Sequence, residues 1–306
     1  MRLSFDGEFS YITFTRRYSL NQMIAIIYFV ELLLAGIIAG VVGSMSGLGG
    51  GVVIVPALTL LFGIPLEYAA GASLVSTIAT SSGAASAYVK DKLANIRIGM
   101  SLEVATTLGA IVGSLLAAYI YANGISSYLF IVFGIVLIIS IYPAIKEYKK
   151  GKMHRMNKDW STKFFQLSGS YYDKAEKKVV RYSGYRWGLG EIVSLGGGLM
   201  SGLLGVGGGV LKVMGMNRGM RLPMKVTTST SNFMIGVTAA TSSAIYWSLG
   251  YIQPFIVAPV VIGILIGAYF GSKVLERTQS RKIRTLFLIM LGVVGLQMIF
   301  RGFGVA

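Results

Sequence analysis

Two runs of glycine lie inside apolar stretches of this chain, and they constrain the fold more than any other feature. The first is SGLGGGVVIV at residues 46–55, and the second is LGVGGGVLKV at residues 204–213. Consecutive glycines break a helix because glycine loses the most backbone freedom on ordering. In a membrane, broken backbone survives only where it is buried in protein or lines a polar cavity. The two runs therefore predict helix breaks that the rest of the protein encloses.

The composition indicates an integral membrane protein. Of the 306 residues, 54% are hydrophobic and 13% are charged, and the mean hydropathy is +0.68. A soluble domain has roughly a quarter charged residues, and several apolar runs here reach the roughly 20 residues that a spanning helix needs. We therefore expect an all-α, multi-pass protein of the plasma membrane, with the lipid bilayer as a partner.

Few residue types that carry chemistry are present. The chain has no Cys and a single His, His154, which excludes thiol chemistry and zinc sites. The 12 acidic residues are scattered along the chain, which argues against a carboxylate metal site. No nucleophile with a neighbouring base is evident at membrane depth. We predict no enzyme activity, no metal and no cofactor.

The net charge of +16 is concentrated in one segment. Residues 146–187 hold 12 Lys or Arg against 4 Asp or Glu, which is a net charge of +8. Basic residues in this arrangement retain a loop on the cytoplasmic side, so we expect a cytoplasmic loop and no nucleic-acid partner. Its aromatic residues would also suit the anionic surface of the inner leaflet, which leaves open a partner-binding or regulatory role.

The chain contains an internal duplication. An offset of 158 aligns residues 43–88 with 201–246 without a gap, and ten of the 46 positions are identical. After a shift of four residues, GAIVGS at 109–114 matches GILIGA at 263–268. The identical positions include Gly47/Gly205, Gly49/Gly207, Gly50/Gly208, Gly51/Gly209, Pro65/Pro223, Ser73/Ser231 and Tyr88/Tyr246.

The loop charges predict that the two halves are inverted. Basic loops alternate with uncharged ones in each half, and the order in the second half is opposite to that in the first. Each half is then a Gly-tipped broken or re-entrant helix plus about three transmembrane helices. The expected crossings are 66–89, 98–121, 126–145, 225–247, 253–273 and 283–301, with a returning arm at 210–216 in the second glycine segment. The expected divisions are a tail (1–21), a first repeat (22–145), the basic loop (146–187), a second repeat (188–301) and a C-terminal tail (302–306).

The side of the N-terminus stays open. The inverted scheme places it outside, yet Arg2, Arg16 and Arg17 favour the cytoplasm. If the first arm, about 24 residues from Gln22, crosses the membrane fully, the N-terminus is cytoplasmic. A homodimer is also left open.

The glycines predict an anion site. At a hairpin tip, successive backbone N–H groups can converge on one point, next to the positive end of the following helix. The alternative is close helix packing, but two equivalent tips that meet near the midplane favour binding. The candidate substrate-binding glycines are Gly47, Gly49, Gly50, Gly51, Gly205, Gly207, Gly208 and Gly209.

Polar side chains extend this candidate site. Ser73 and Thr77 lie on one helix face, and Thr230, Ser231 and Asn232 lie in a polar run of the equivalent helix. Hydroxyls and amides suit a small oxyanion because each donates a hydrogen bond without titrating. The alternative is that they bond to helix carbonyls or join helices.

Three ionisable residues fall within apolar segments. Lys212 lies three positions after Gly209, and we expect it to be a counter-charge for the anion unless it snorkels to the surface. Glu31 and Glu103 are candidates for carrying a coupling ion, or for solvated and helix-pairing roles.

The glycine motifs resemble those of the sulfite exporter TauE/SafE family of membrane permeases. The resemblance rests on G-x-G-G-G at 47–51 followed by Pro56, on AAGASL at 69–74, and on the same plan at 205–209 and 227–232. It covers about residues 22–301. Met214 replaces the proline in the second half, and Lys212 has no assigned place in the family pattern.

The resemblance implies transport of sulfite, sulfoacetate or a related small organic anion, coupled to an ion gradient. We therefore predict a secondary transporter of a small anion that works by alternating access around a midplane site. The alternatives are a passive anion channel and a permease for another small carboxylate or oxyanion.

The inverted scheme predicts the side of each loop. Loops 90–97, 146–187, 218–225 and 273–284 should be cytoplasmic, and 122–128 and 247–253 should lie outside. In this Cys-free chain, single cysteines at Asn123, Leu249 and Lys174 can be labelled with an impermeant thiol reagent. The first two should react from outside and the third from the cytoplasm. Reaction of all three from one side contradicts the scheme.

Overall fold

The chain forms a helical protein with one small β-hairpin. The computed structural model describes residues 6–90, 93–125, 128–132, 134–135, 137–138, 141 and 159–304, and the described residues of 128–141 are helical. The labelled elements are α1 (Asp6–Ser46), α2 (Gly51–Pro56), α3 (Leu66–Lys90), α4 (Ile96–Ala122), α5 (Trp160–Phe164), β1 (Ser168–Asp173), β2 (Lys178–Ser183), α6 (Trp187–Leu204), α7 (Gly209–Met214), α8 (Met224–Ser248), α9 (Pro254–Arg277) and α10 (Ser280–Gly302). Two of these helices continue into a π-helical turn, α2 over Ala57–Leu61 and α7 over Gly215–Gly219.

Several of these helices have the length and composition of membrane spans. Within the described residues, three are long and apolar enough to cross: Ile26–Ser46 of α1, α4 and α9, with 21, 27 and 24 residues. The central helices α3 and α8 have 25 residues each, but their Ser and Thr residues make them less apolar. Most of their described side chains are buried against other helices. The polar helices are thus shielded from lipid by the apolar ones.

The second glycine segment is an antiparallel helical hairpin. A Cβ on Gly208 would lie 1.9 Å from the carbonyl oxygen of Gly197, and a Cβ on Gly219 would lie 2.9 Å from Leu189 Cδ2. The contacts therefore run in opposite directions along the two arms, and the open ends of the hairpin lie together. The returning arm is longer than the sequence suggested, because the π-helical turn extends it. It covers residues 209–219, about 16 Å, which is still shorter than the ~30 Å hydrocarbon core.

The two halves interlock through close helix contacts. Along α1 and α9, a Cβ on Gly36 would lie 2.5 Å from Val260 O, and a Cβ on Gly40 would lie 2.5 Å from Ile264 O. The contact advances along both helices together, so the two helices pack in parallel. Backbones approach this closely only where a small residue leaves space.

The equivalent pair of helices, α4 of the first half and α6 of the second half, packs in the same way. Along α4 and α6, a Cβ on Gly198 would lie 1.9 Å from Thr106 O, and a Cβ on Gly202 would lie 2.3 Å from Ala110 O. The first arm of each glycine hairpin therefore packs against a long helix of the other half.

The basic segment between the halves includes a folded unit, which we call the cap (residues 159–186). It contains α5 and the antiparallel pair of β1 and β2, in which Ser168 lies opposite Ser183. The charge pattern predicted only a loop here, and the hairpin was not predicted. Asp159 caps α5: burial raises its pKa, but hydrogen bonds from Thr162, Ser161 and the Arg186 N–H hold the pKa below its ordinary value.

The cap is anchored to the helices by a buried ion pair. Asp173 at the end of β1 lies 2.9 Å from Lys225 near the start of α8, and the two side chains are 2% and 1% exposed. Lys225 also donates a hydrogen bond to the carbonyl oxygen of Glu276 at 3.1 Å. Asn95 Nδ2 donates to the Tyr182 hydroxyl at 3.1 Å. The cap therefore holds the end of α9 and the starts of α4 and α8 together.

Loss of the cap ion pair should destabilise the protein. Asp173→Asn keeps the shape of the side chain but leaves the buried Lys225 charge without its partner, which costs about 3–5 kcal/mol. Glu176→Gln removes an exposed partner of Lys178 in the same hairpin and should cost less than about 1 kcal/mol. Denaturant unfolding in detergent measures both. Equal stability of the two variants would contradict an anchoring role.

Candidate functional site

The first tip (residues 47–50) turns the chain between α1 and α2. Gly47 and Gly49 have φ values of +76° and +75°, which side-chain-bearing residues rarely adopt. The Gly47 N–H donates to Gly43 O at 3.1 Å, and the Gly50 N–H donates to Thr80 Oγ1 at 3.2 Å. The turn itself therefore requires glycine, and α3 helps to hold it.

The second tip (residues 205–208) follows the same plan between α6 and α7. Gly205, Gly207 and Gly208 have φ values of +71°, +72° and +66°. The Gly205 N–H donates to Ser201 O at 2.9 Å, as Gly47 does to Gly43 in the first tip. Gly205 and Gly207 thus repeat the positive φ values of Gly47 and Gly49, whereas Gly208 differs from Gly50, whose φ is −57°.

The two tips touch each other. A Cβ on Gly51 would lie 3.1 Å from Val206 Cα, and a Cβ on Gly209 would lie 2.7 Å from Leu48 Cα. These two contacts are equivalent under the offset of 158. Leu48 and Val206 are 0% and 2% exposed, so the contact between the tips is tight and apolar.

Polar groups at the first tip differ from those at the second. A Cβ on Gly51 would lie 2.5 Å from Ser73 Oγ, and that hydroxyl is buried with no hydrogen-bond partner. The equivalent Ser231 Oγ donates to Gly47 O at 2.8 Å. Buried polar atoms are nearly always hydrogen-bonded, and an exception calls for a physical reason such as a ligand. Ser73 is therefore a buried donor beside the tips that has no partner, as is Thr228 Oγ1, whose residue lies against Gly47.

The other predicted polar residues are already engaged in part. Thr77 Oγ1 lies near Gly51 and donates to Ser73 O at 2.8 Å. Asn232 Nδ2 donates to Ser44 O at 2.7 Å, and its Oδ1 has no partner. Thr230 Oγ1 accepts from the Asn95 N–H at 2.9 Å, which ties it to the connection between α3 and α4.

Two tyrosines hold the arms of the hairpins. The Tyr88 hydroxyl donates to Ser44 O at 2.9 Å, and the equivalent Tyr246 hydroxyl donates to Gly202 O at 2.9 Å. Both acceptors lie three residues before a tip glycine. The predicted site did not include these tyrosines, although their identity in the internal alignment was a signal. They fix the position of each tip relative to α3 or α8.

Lys212 forms a cluster with two other buried side chains. Its Nζ donates a hydrogen bond to Thr238 Oγ1 and lies 3.9 Å from Glu103 Oε2. Thr238 Oγ1 in turn donates to Glu103 Oε1 at 2.6 Å. From the sequence we expected Lys212 to be available to an anion, but in this structure it is paired with a carboxylate. Glu31 lies on α1 with its side chain exposed.

A cavity in the described structure lies apart from the predicted site residues, and its lining is mostly apolar. It has a volume of about 580 Å³ and lies between α3, α8 and α9. Its lining includes Val75, Ile78, Trp247 and Val257, and Ser243 is its polar residue. An apolar groove of this kind suits a hydrocarbon chain and not an anion. In the described part of the chain, no group of three His, Cys, Asp or Glu side chains could hold a metal ion.

Comparison with known proteins identifies the family. Residues 32–298 match the sulfite exporter family TauE/SafE over nearly the whole of both glycine hairpins and their supporting helices. The chain belongs to the TauE/SafE family. It is a membrane transporter, and its two glycine hairpins fall within the region that the TauE/SafE match covers.

Curated relatives of this TauE/SafE protein carry transporter names. The chain is 30% identical over 281 residues to "Probable membrane transporter protein YunE" of Bacillus subtilis, covering 90% of this chain and 98% of that one. A protein from Methanocaldococcus jannaschii, also named a probable membrane transporter protein, is 28% identical, with 88% and 94% covered. No solved structure matches the chain.

The second tip should tolerate no side chain at Gly208. Gly208→Ala would place its methyl group 1.9 Å from the Gly197 carbonyl oxygen at a positive φ. Gly188→Ala in α6 is a matched control, because its methyl group would meet nothing within 4 Å. We expect the first variant to lose most of its folded yield in size-exclusion chromatography and the second to match wild type. Normal yield of Gly208→Ala would contradict the described tip.

Proposed function

We propose that this TauE/SafE protein is a secondary transporter of a small anion in the plasma membrane, with a sulfur oxyanion or organosulfonate such as sulfite or sulfoacetate as substrate. The observation that carries the proposal is the buried, unpartnered Ser73 hydroxyl beside Gly51, where the two tips touch. The family membership supports the transporter class and the substrate class.

The chemistry around Ser73 favours an anion. The first N–H groups of a helix have no intrahelical acceptor, and α2 begins at Gly51 next to the Ser73 hydroxyl. Both kinds of group donate hydrogen bonds, and neither titrates. Because Gly51 has no side chain, its backbone approaches this hydroxyl closely: a Cβ there would lie 2.5 Å from Ser73 Oγ. A cation would need acceptors here, and the Ser73 carbonyl is already used by Thr77.

The packing of the helices supports an inverted repeat. Parallel contacts join α1 to α9 and α4 to α6, and they also join α3 to α9, where Gly71 meets Tyr251 and Gly83 meets Leu265. Only five residues connect α3 to α4, which favours an antiparallel pair. With these directions, α1 opposes α6, α3 opposes α8, and α4 opposes α9. The two halves then point in opposite directions across the bilayer, as the loop charges predict.

This arrangement suits the alternating-access mechanism that we propose. Both central helices contact both tips, because Thr77 on α3 and Ile235 on α8 each lie against Gly49 and Gly207. A small rotation of one half against the other would part the apolar contact between Leu48 and Val206 on one side at a time. Ser73 would then face each side of the membrane in turn.

Transport by reconstituted protein tests the proposal. Proteoliposomes should take up radiolabelled sulfite or sulfoacetate in preference to sulfate and phosphate, and an imposed pH gradient should drive accumulation. Uptake of sulfoacetate that never exceeds equilibrium under the gradient would indicate a passive channel. Absence of uptake of all four anions would contradict the proposed function.

Two substitutions test the site itself. Ser73→Ala removes one hydrogen bond to a charged group, worth about 1.5–3 kcal/mol, and should raise the half-saturating concentration roughly 10- to 150-fold. Gly51→Ala would place its methyl group 2.5 Å from Ser73 Oγ and should reduce uptake at least as strongly. Ser243→Ala in the apolar groove is the control and should match wild type. Normal uptake by both tip variants would place the substrate elsewhere.

A further inference from the structure

The buried cluster of Glu103, Thr238 and Lys212 is built differently from an ion pair that only stabilises a fold. Lys212 is 0% exposed and Glu103 is 6% exposed, yet their charged atoms are 3.9 Å apart, beyond ordinary hydrogen-bond length. Glu103 Oε2, the atom that faces the lysine, has no hydrogen-bond partner. Burial of two charges is compensated only by close geometry and complete hydrogen bonding. This pair lacks both.

The equivalent positions at the first hairpin carry no charge. Under the internal alignment, Lys212 corresponds to Ile54 and Glu103 corresponds to Val257. Both of these side chains are buried, at 0% and 8% exposure. Apolar side chains thus occupy these positions at one hairpin, and charged side chains occupy them at the other. The difference requires a reason in function.

Thr238 allows the cluster to exist in two protonation states. Its hydroxyl donates to Glu103 Oε1 at 2.6 Å, and Met234 O lies 3.1 Å away as a second acceptor in its own helix. When Glu103 is ionised, Thr238 can donate to the carboxylate. When Glu103 is protonated, Thr238 can turn to Met234 and accept from the carboxylic acid. Neither state leaves the hydroxyl without a partner.

We propose that Glu103 carries the coupled proton, and that the protonated Glu103 releases Lys212 to become the counter-charge of the transported anion. The inference rests on the proposed function. With Glu103 ionised, Lys212 is neutralised by the carboxylate. With Glu103 protonated, the buried ammonium lacks a counter-ion, and a substrate anion takes that place. Proton binding and anion binding then strengthen each other by the same factor, which is the condition for symport.

No other charged group of the described structure competes for Glu103. Among those residues, Lys212 on α7 is the charged side chain that acts on it, and Thr238 on α8 is its hydrogen-bond partner. Lys225 on α8 is paired with Asp173 in the cap. The other titratable side chains on the packed helices are Arg97, Tyr119 and Tyr121 on α4, Glu191 on α6 and Tyr246 on α8, and Arg218 lies on the arm that follows α7.

The cluster lies about one helical turn from the tips along α7 and α8. Thr238 is one helical turn along α8 from Ile235, which lies against Gly49 and Gly207. Lys212 lies one turn after Gly208, whose carbonyl accepts its backbone N–H at 3.3 Å. The tips would supply hydrogen bonds to the anion, and Lys212 would supply charge that is available only after protonation.

The test uses proteoliposomes, radiolabelled sulfoacetate and a membrane potential clamped at zero. Accumulation under a pH gradient measures proton coupling, and exchange of internal for external sulfoacetate measures transport without coupling. One proton per anion predicts tenfold accumulation for an inward gradient of one pH unit. Wild type should reach about that ratio. Glu103→Gln imitates the protonated residue, so it should still exchange internal for external sulfoacetate while its accumulation ratio falls from about ten to about one. Glu176→Gln, the same substitution at an exposed site in the cap, should keep the gradient response.

If Glu103→Gln does not exchange sulfoacetate, two further variants test whether Glu103 carries the coupled proton. The double variant Glu103→Val with Lys212→Ile copies the residues at the equivalent positions, Val257 and Ile54, and should fold, as size-exclusion chromatography will show, but it should not accumulate sulfoacetate under the gradient. Glu103→Asp keeps a titratable group and should restore accumulation. Gradient-driven accumulation by Glu103→Gln or by the double variant overturns the inference, as does failure of folded Glu103→Asp to accumulate. If the wild-type protein transports no sulfoacetate, that result contradicts the proposed function, and not the coupling role of Glu103 alone.

Discussion

The contact between the two glycine tips is the constraint on which the rest of the structure depends. At this contact, backbone meets backbone, and a side chain at Gly51 or Gly209 would overlap the opposite hairpin. The positive φ values at Gly47 and Gly207 aim the chain into the contact, and Leu48 and Val206 seal it from water. An arrangement without side chains is dense and dry, and in the proposed mechanism it would open and close as a unit because no long side chain interlocks across it.

Buried polar side chains form hydrogen bonds with the backbone where the helices are broken inside the protein. Tyr88 and Tyr246 satisfy carbonyl groups at the ends of the entering arms, and Thr80 satisfies the Gly50 N–H of the first tip. Such partners replace the water that the bilayer cannot supply. Once these groups are paired, the unpaired Ser73 hydroxyl stands out as a place where something else binds. The buried charges of Lys212 and Glu103 stand out for the same reason.

Much of this arrangement follows from local sequence. The helix breaks were predictable because three consecutive glycines disfavour a continuous helix, and the repeat was visible because both tips need the same backbone. The unequal roles of Ser73 and Ser231 were not predictable, since identical residues differ only in what packs against them. The pairing of Lys212 with Glu103 joins residues 109 positions apart, and no local pattern reports it. The cap was missed because short strands in a basic segment give a weak signal beside the strong charge pattern.

The central claim is that the transported anion binds to Ser73 beside the contact of the two tips, and protection of a cysteine tests it most directly. The chain has no Cys, so Ser73→Cys provides a single thiol at the site, and Ser243→Cys provides a reference thiol in the apolar groove. The rate of alkylation of each is measured in proteoliposomes at increasing sulfoacetate concentration. We expect sulfoacetate to slow the reaction at residue 73 with a saturable dependence and to leave residue 243 unaffected. A rate at residue 73 that does not change with sulfoacetate, or a thiol there that never reacts, would contradict the account.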